Sequence, residues 1–191
     1  MPPIIHIEPN AEAVAQSAAV FIADRITTVL KKQDRFCLAL SGGSTPKRLH
    51  EILAESPYKE QIDWSRLHIF WGDERYVPLE DERNNARMAY DTLLNHVVVP
   101  EDQIHIMRTD YPDPKESATE YEQLLHQYFD GKANSFDLLL LGMGDDGHTA
   151  SLFPGTGALE VTDRWVVENF VPKFDTHRIT MPYPLLNAAR H

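Results

Sequence analysis

Apolar positions along the chain fall into two rhythms that alternate from the N-terminus onward. Over residues 11–32 a helical spacing places Val14, Ala18, Phe21, Ile22, Ile26, Val29 and Leu30 on one face, as in an amphipathic helix lying on a core. Phe36-Cys37-Leu38-Ala39-Leu40 then runs apolar without a break and predicts a strand over 36–41. A second helix is expected to open near Pro46, with Ser44 or Thr45 as its cap and Leu49, Ile52 and Leu53 as its buried stripe. Leu67-His68-Ile69-Phe70-Trp71 predicts a strand over 67–72. A helix over 84–95 carries Met88 and Leu94, and Ile104-His105-Ile106 reads as a short strand. Pro112 and Pro114 lead into a helix that buries Ala118, Tyr121, Leu125, Tyr128 and Phe129. The segment 136–141 is almost wholly apolar, the composition of a central parallel strand covered on both faces. Residues 164–170 and 178–182 read as later strands.

This βαβαβ alternation predicts an α/β fold, a doubly wound and mostly parallel sheet with helices on both faces and right-handed crossovers. No repeat, low-complexity tract or linker divides the chain, so one domain over 1–191 is expected. In such sheets, groups just past the carboxyl ends of the strands converge on one crevice, and ligands bind there.

Three glycine-punctuated segments end predicted strands and are therefore the candidates for chemistry. Ser41-Gly42-Gly43-Ser44-Thr45-Pro46 joins a strand to a helix; its glycines allow close backbone approach, and the helix N-terminus favours negative charge. It has neither the Gly-x-x-x-x-Gly-Lys spacing of a nucleotide loop nor Gly-x-Gly-x-x-Gly, so it reads as a phosphate cradle or as a tight turn with a good cap. Gly72-Asp73-Glu74-Arg75 offers Asp73 to a sugar hydroxyl or water and Arg75 to a phosphate or oxyanion; the plainer alternative is a loop salt bridge. Gly142-Met143-Gly144-Asp145-Asp146-Gly147-His148-Thr149 presents His148 as a general base with Asp146 to orient it, provided that a turn brings residues two apart together. An Asp-Gly turn carrying a surface histidine is the bland reading of that segment. A metal site on Asp145, Asp146 and His148 lacks the usual ligand spacings. Lys173 and Arg178 flank a late loop and are candidate anion contacts or simply solvated charges.

Charge and composition narrow the partners. Lys plus Arg number 18 against 29 Asp plus Glu, a formal net charge of −11, which argues against non-specific binding to nucleic acid or to an anionic membrane. An anionic ligand then needs a focused local site rather than a general field. The single Cys37 lies in an apolar strand and reads as a buried structural thiol. The N-terminus lacks a basic region followed by an apolar signal core, and no apolar run approaches the roughly 20 residues of a membrane span, so a cytoplasmic location is the default. The oligomeric state is left open.

Taken together, Leu38 to Pro46, Trp71 to Pro78, the polar stretch Asp81 to Asn85, Leu141 to Pro154, Pro172-Lys173, His177 to Thr180 and Leu186 to Arg190 resemble the 6-phosphogluconolactonase family, whose fold is shared with glucosamine-6-phosphate deaminase and isomerase. The resemblance spans nearly the whole chain in the family's order. It implies hydrolysis of 6-phospho-D-glucono-1,5-lactone to 6-phosphogluconate in the oxidative pentose phosphate pathway, with no metal or organic cofactor. It also implies that Ser41, Gly42, Gly43, Ser44 and Thr45 bind the phosphate, that Asp73 and Arg75 form the active-site pair, and that His148 is the base. Lys173 and Arg178 gain standing as phosphate or substrate contacts. Family members continue beyond the Asn-Ala-Ala-Arg segment, so the expected single lactonase domain over 1–191 carries with it an expectation of C-terminal truncation. Two other readings stay open: a glucosamine-6-phosphate isomerase or deaminase, and a non-enzymatic sugar-phosphate sensor.

Overall fold

The computed structural model describes residues 3–130 and 136–191. Its helices and strands run in the order α1 (Ala11–Leu30), β1 (Phe36–Leu40), α2 (Ser44–Leu53), α3 (Tyr58–Gln61), β2 (Leu67–Trp71), β3 (Asp73–Arg75), α4 (Asn85–Ala89), α5 (Pro114–Tyr128), β4 (Leu138–Leu139), β5 (Val167–Val171), β6 (Thr176–Thr180) and α6 (Tyr183–Leu186). Among the described residues six strands form two sheets of three: a parallel sheet in the order β2-β1-β4 and an antiparallel one in the order β3-β6-β5.

The parallel sheet separates two cores because successive side chains of a strand point to opposite faces. Phe36, Leu38 and Leu40 of β1 meet Leu67, Ile69 and Trp71 of β2 on the face covered by α1, α2 and α4. Cys37, Ala39 and Phe70 point the other way, towards α5 and the inner side of the antiparallel sheet. Burial on both faces explains why β1 reads as a continuous apolar run. The α/β architecture with helices on both faces follows the pattern in the sequence. Cys37 is buried, and burial pushes its thiol up to about 11, as suits a structural residue.

Several elements differ from their expected form. The buried stripe of α1 is Ala15, Ala19, Ile22, Ala23 and Ile26, while Val14 and Phe21 are exposed. Small residues let α1 approach α2 and the sheet closely, and the larger Val14 and Phe21 fall on the outward side. This helix is also long and apolar enough to cross a membrane by length and composition, which corrects the expectation that no run is; in the fold its alanine-rich stripe packs into the first core. Ser44 and Thr45 lie inside α2 rather than capping it, because Gly43, with φ near 111°, takes the cap position. The helix expected over 84–95 is α4 followed by a wider π turn over Tyr90–Leu94. Ile104 makes only an isolated bridge to Ile69.

β4 and β3 differ most from their expected forms. β4 has two paired residues and lies at the outer position of the parallel sheet, with β1 at the centre. The outer backbone of the 136–139 segment is met by residues 190–191: Leu139 N–H donates to the His191 carbonyl and Arg190 N–H to the Phe136 carbonyl. Asp73–Arg75, expected as a loop, is a strand that pairs with β6. Gly72 joins the two sheets, donating to the Leu40 carbonyl of β1 at 3.0 Å and accepting from Met181 beyond β6 at 2.9 Å.

Candidate active site

That junction creates one cleft at the carboxyl ends of β1 and β4, floored by β3 and β6. It encloses a cavity of about 340 Å³. Residues 41–46, Asp73, Arg75, Asn85, residues 142–144, His148 and Arg178 all face it. Three segments far apart in sequence therefore do converge.

The first wall is the start of α2. Its cap residue makes no side-chain hydrogen bond to the helix, so the leading amides of the 43–45 segment are left for a ligand. Uncapped amides and the helix dipole together favour an anion here.

The second wall is β3 with β6. Alternation along β3 sends Asp73 and Arg75 into the cavity and Glu74 into the protein. Asp73 is buried, and one carboxylate oxygen accepts from the Ser151 hydroxyl at 2.7 Å. Ser151 N–H in turn donates to the Thr180 hydroxyl oxygen at 3.2 Å, and Thr180 is the residue opposite Asp73 in the ladder. Arg75 is opposite Arg178 in the same ladder, so two guanidinium groups line one cavity side by side. Arg75 donates one N–H to the Arg83 carbonyl at 2.7 Å. Burial and the neighbouring Arg75 push the Arg178 guanidinium below its ordinary value, and its Nε is buried without a partner. Like charges facing each other cost stability, and an anion between them removes that cost.

The third wall is the loop after β4. Gly147, with φ near 80°, closes a turn in which Gly147 N–H donates to the Gly144 carbonyl and Gly144 N–H to the His148 carbonyl, both at 2.9 Å. This turn supplies the contact that the spacing required: Asp146 Oδ1 is hydrogen-bonded to His148 Nδ1. Asp146 also accepts from His148 N–H at 3.3 Å and from Lys173 Nζ at 2.8 Å. Lys173 first and His148 second hold the Asp146 carboxyl well below the usual carboxylate range. The His148 ring stacks on Phe153 with centroids 3.9 Å apart. Among the described residues nothing bonds its Nε2, which leaves that nitrogen for a ligand or water.

Of the residues singled out by sequence, Ser41 to Thr45, Asp73, Arg75, His148 and Arg178 face the cavity directly. Asp146 stands behind His148. Lys173 sits on Asp146 at the rim, more than half exposed, and not in the cavity wall. Sequence reasoning missed three contributors: Asn85, Ser151 and Phe153. Asn85 lies within the polar stretch 81–85 already noted, but its burial depends on β3 pairing with β6. Ser151 and Phe153 lie just beyond the glycine-rich loop, where only the three-dimensional return of the chain gives them partners. No three His, Cys, Asp or Glu side chains cluster to hold a metal ion among the described residues.

The protein is thus an α/β protein whose cleft gathers the uncapped start of α2, two arginines and a histidine oriented by an aspartate. Residues 9–191 match the family model described as glucosamine-6-phosphate isomerases/6-phosphogluconolactonase, and the chain belongs to that family. A 6-phosphogluconolactonase of Synechocystis is 42% identical over 193 residues, covering 100% of this chain and 78% of its own length. The chloroplastic 6-phosphogluconolactonase 3 of Arabidopsis thaliana is 38% identical over 197 residues, covering 98% of this chain and 60% of its own. Among solved structures, 6-phosphogluconolactonase from Trypanosoma cruzi superposes with a TM-score of 0.87 at 31% identity, covering 100% of this chain and 78% of that one.

Proposed function

We propose that this protein hydrolyses 6-phospho-D-glucono-1,5-lactone to 6-phosphogluconate, the lactonase step of the oxidative pentose phosphate pathway. The observation that carries the reading is His148, held by Asp146 through Nδ1, in the wall of a cavity that Arg75 and Arg178 also line. Relatives named as 6-phosphogluconolactonases support the lactonase branch of the family over the isomerase branch.

In this mechanism the substrate phosphate is an anion at the cavity wall, and candidates for holding it are the amides of Gly43, Ser44 and Thr45 and the guanidinium of Arg178. Holding the remote phosphate orients C1 of the lactone against a water molecule on His148. His148 Nε2 takes a proton from that water as its oxygen attacks C1. The carbonyl electrons move to the exocyclic oxygen, where the Arg75 guanidinium offsets the new negative charge. The carbonyl re-forms, the bond from C1 to the ring oxygen breaks, and His148 returns its proton to that oxygen. Asp146 keeps Nδ1 as the donor-bearing nitrogen and stabilises the imidazolium while it exists. Asp73, fixed by Ser151, accepts a hydrogen bond from a substrate hydroxyl or from the attacking water. No step draws on a metal or organic cofactor. A cytoplasmic location is part of the same proposal.

The test is loss of freshly generated 6-phosphogluconolactone above its spontaneous rate, with and without a strong chelator. The wild-type protein is expected to accelerate hydrolysis equally in both. Hydrolysis at the spontaneous rate, with 6-phosphogluconate still bound tightly, would instead favour the sugar-phosphate sensor.

A further inference from the structure

Asn85 is 1% exposed and sits where the first and second walls of the cavity meet. Its Nδ2 donates to the Asp73 carbonyl at 3.0 Å, which fixes the amide's orientation. Its Oδ1 is buried with no hydrogen-bond partner and lies against Gly42. A β-carbon at Gly42 would overlap Oδ1 and lie 2.6 Å from Cγ of Asn85; the three nearest atoms all belong to this one side chain. The backbone of Asn85 is held just as firmly. Glu74, the inward residue of β3, is fully buried and accepts from Arg75 N–H and Asn85 N–H at 2.7 Å and from Ala86 N–H at 2.9 Å.

An unpartnered buried acceptor costs stability and calls for an explanation. The amide is wedged between the phosphate-loop backbone at Gly42 and the backbone that carries Asp73. We infer that Asn85, anchored by Glu74, is a positioning residue: its amide sets the separation between the Gly42 loop and the Asp73 carboxylate. Gly42 is glycine because Asn85 occupies the side-chain site, and the added methyl of an alanine there points into the wedge. The inference rests on the lactonase reading for its catalytic consequence, but its geometric core does not.

Misplacement of a reacting group by about 1 Å can cost about a hundred-fold in rate. Asn85→Ala is therefore expected to lower kcat by about that factor, with affinity for 6-phosphogluconate kept within about three-fold, since the phosphate and imidazole contacts remain. Gly42→Ala alone is expected to lower both the melting temperature and kcat by displacing the amide. The double variant Gly42→Ala/Asn85→Ala separates positioning from packing, because the methyl refills the vacated volume without restoring the donor to Asp73. Its melting temperature is expected to recover while kcat stays low. Recovery of kcat alongside the melting temperature would reduce Asn85 to a space-filler and overturn the inference. If the alanine variants do not fold, Asn85→Asp keeps the shape and loses the donor; unchanged kcat there also overturns it. Crystal structures of these variants give a readout free of turnover. An unmoved Asp73 contradicts the wedge whether or not wild type hydrolyses the lactone, whereas an inactive wild type with a displaced Asp73 in the variants counts against the function alone.

Discussion

The His148 ring occupies the space that a β-carbon on Gly144 would need, overlapping it at Cε1 and Nδ1. On its other side the ring stacks on Phe153. Between backbone and aromatic face the imidazole has one plane available, and Asp146 fixes its rotation within that plane.

Gly144→Ala is accordingly expected to displace the imidazole and lower kcat by about a hundred-fold, the scale of an ångström-level misplacement. Steady-state kinetics checks this. The affinity for 6-phosphogluconate should change far less, because the phosphate contacts are elsewhere in the cleft.

Asp146 and Lys173 should separate in the same assay. Asp146→Asn removes the group that orients His148 and stabilises its charged form, with an expected loss of about a hundred-fold or more in kcat. Lys173→Met leaves the Asp146–His148 contact in place and breaks only an exposed rim ion pair, of a kind that contributes little. A loss below about ten-fold is expected. A Lys173→Met defect as large as that of Asp146→Asn would place Lys173 on the substrate instead.

Arg178 faces Arg75 across the ladder, so unliganded protein carries a local repulsion that bound anion relieves. Arg178→Met keeps an unbranched apolar side chain and removes the guanidinium that lies over Phe153 and Phe174. Its KM is expected to rise about ten- to a hundred-fold, the worth of a hydrogen bond to a charged group. The melting temperature without ligand should not fall, while the stabilisation that 6-phosphogluconate gives wild type should shrink. Calorimetry with and without that ligand measures both.

Acid sensitivity should trace in part to His50, on the buried side of α2 and outside the cavity lining. Its Nδ1 is paired with the Thr92 hydroxyl at 3.2 Å and its Nε2 is buried without a partner, so protonation would place an unpaired charge in the core. Burial lowers it from 6.5 to about 4. Between those values the unfolded chain binds the proton and the folded chain does not, so stability is lost as pH falls from about 6.5 towards 4, by about 3 kcal/mol. Glu74 acts in the opposite sense: burial raises it from 4.5 to about 8, so its contribution declines as pH rises through that window. Melting curves from pH 7 to 4.5 for wild type and His50→Gln isolate the histidine, and the variant should show the shallower decline.

Much of this arrangement was legible in the chain. Unbroken apolar runs located β1 and β2, and glycines next to Ser41, Asp73 and His148 marked the three segments that meet. What escaped was whatever depends on pairing across long sequence separations. Asp73–Arg75 is a strand only because β6 returns alongside it, and that pairing aligns Arg75 with Arg178. The face of α1 was misjudged for a related reason. Val14 and Phe21 are more apolar than Ala15 and Ala19, yet close packing against α2 and the sheet selects small residues. Asn85 reads in the sequence only as one member of the polar stretch 81–85; its role needs Gly42 beside it.

The proposed reaction depends on water activation by His148. The most direct measurement is hydrolysis of freshly generated 6-phosphogluconolactone by wild type and by His148→Gln, alongside calorimetric binding of 6-phosphogluconate to both. Rapid turnover by wild type, near-complete loss in the variant, and similar product affinity in the two are expected. Turnover by His148→Gln at the wild-type rate would contradict that role.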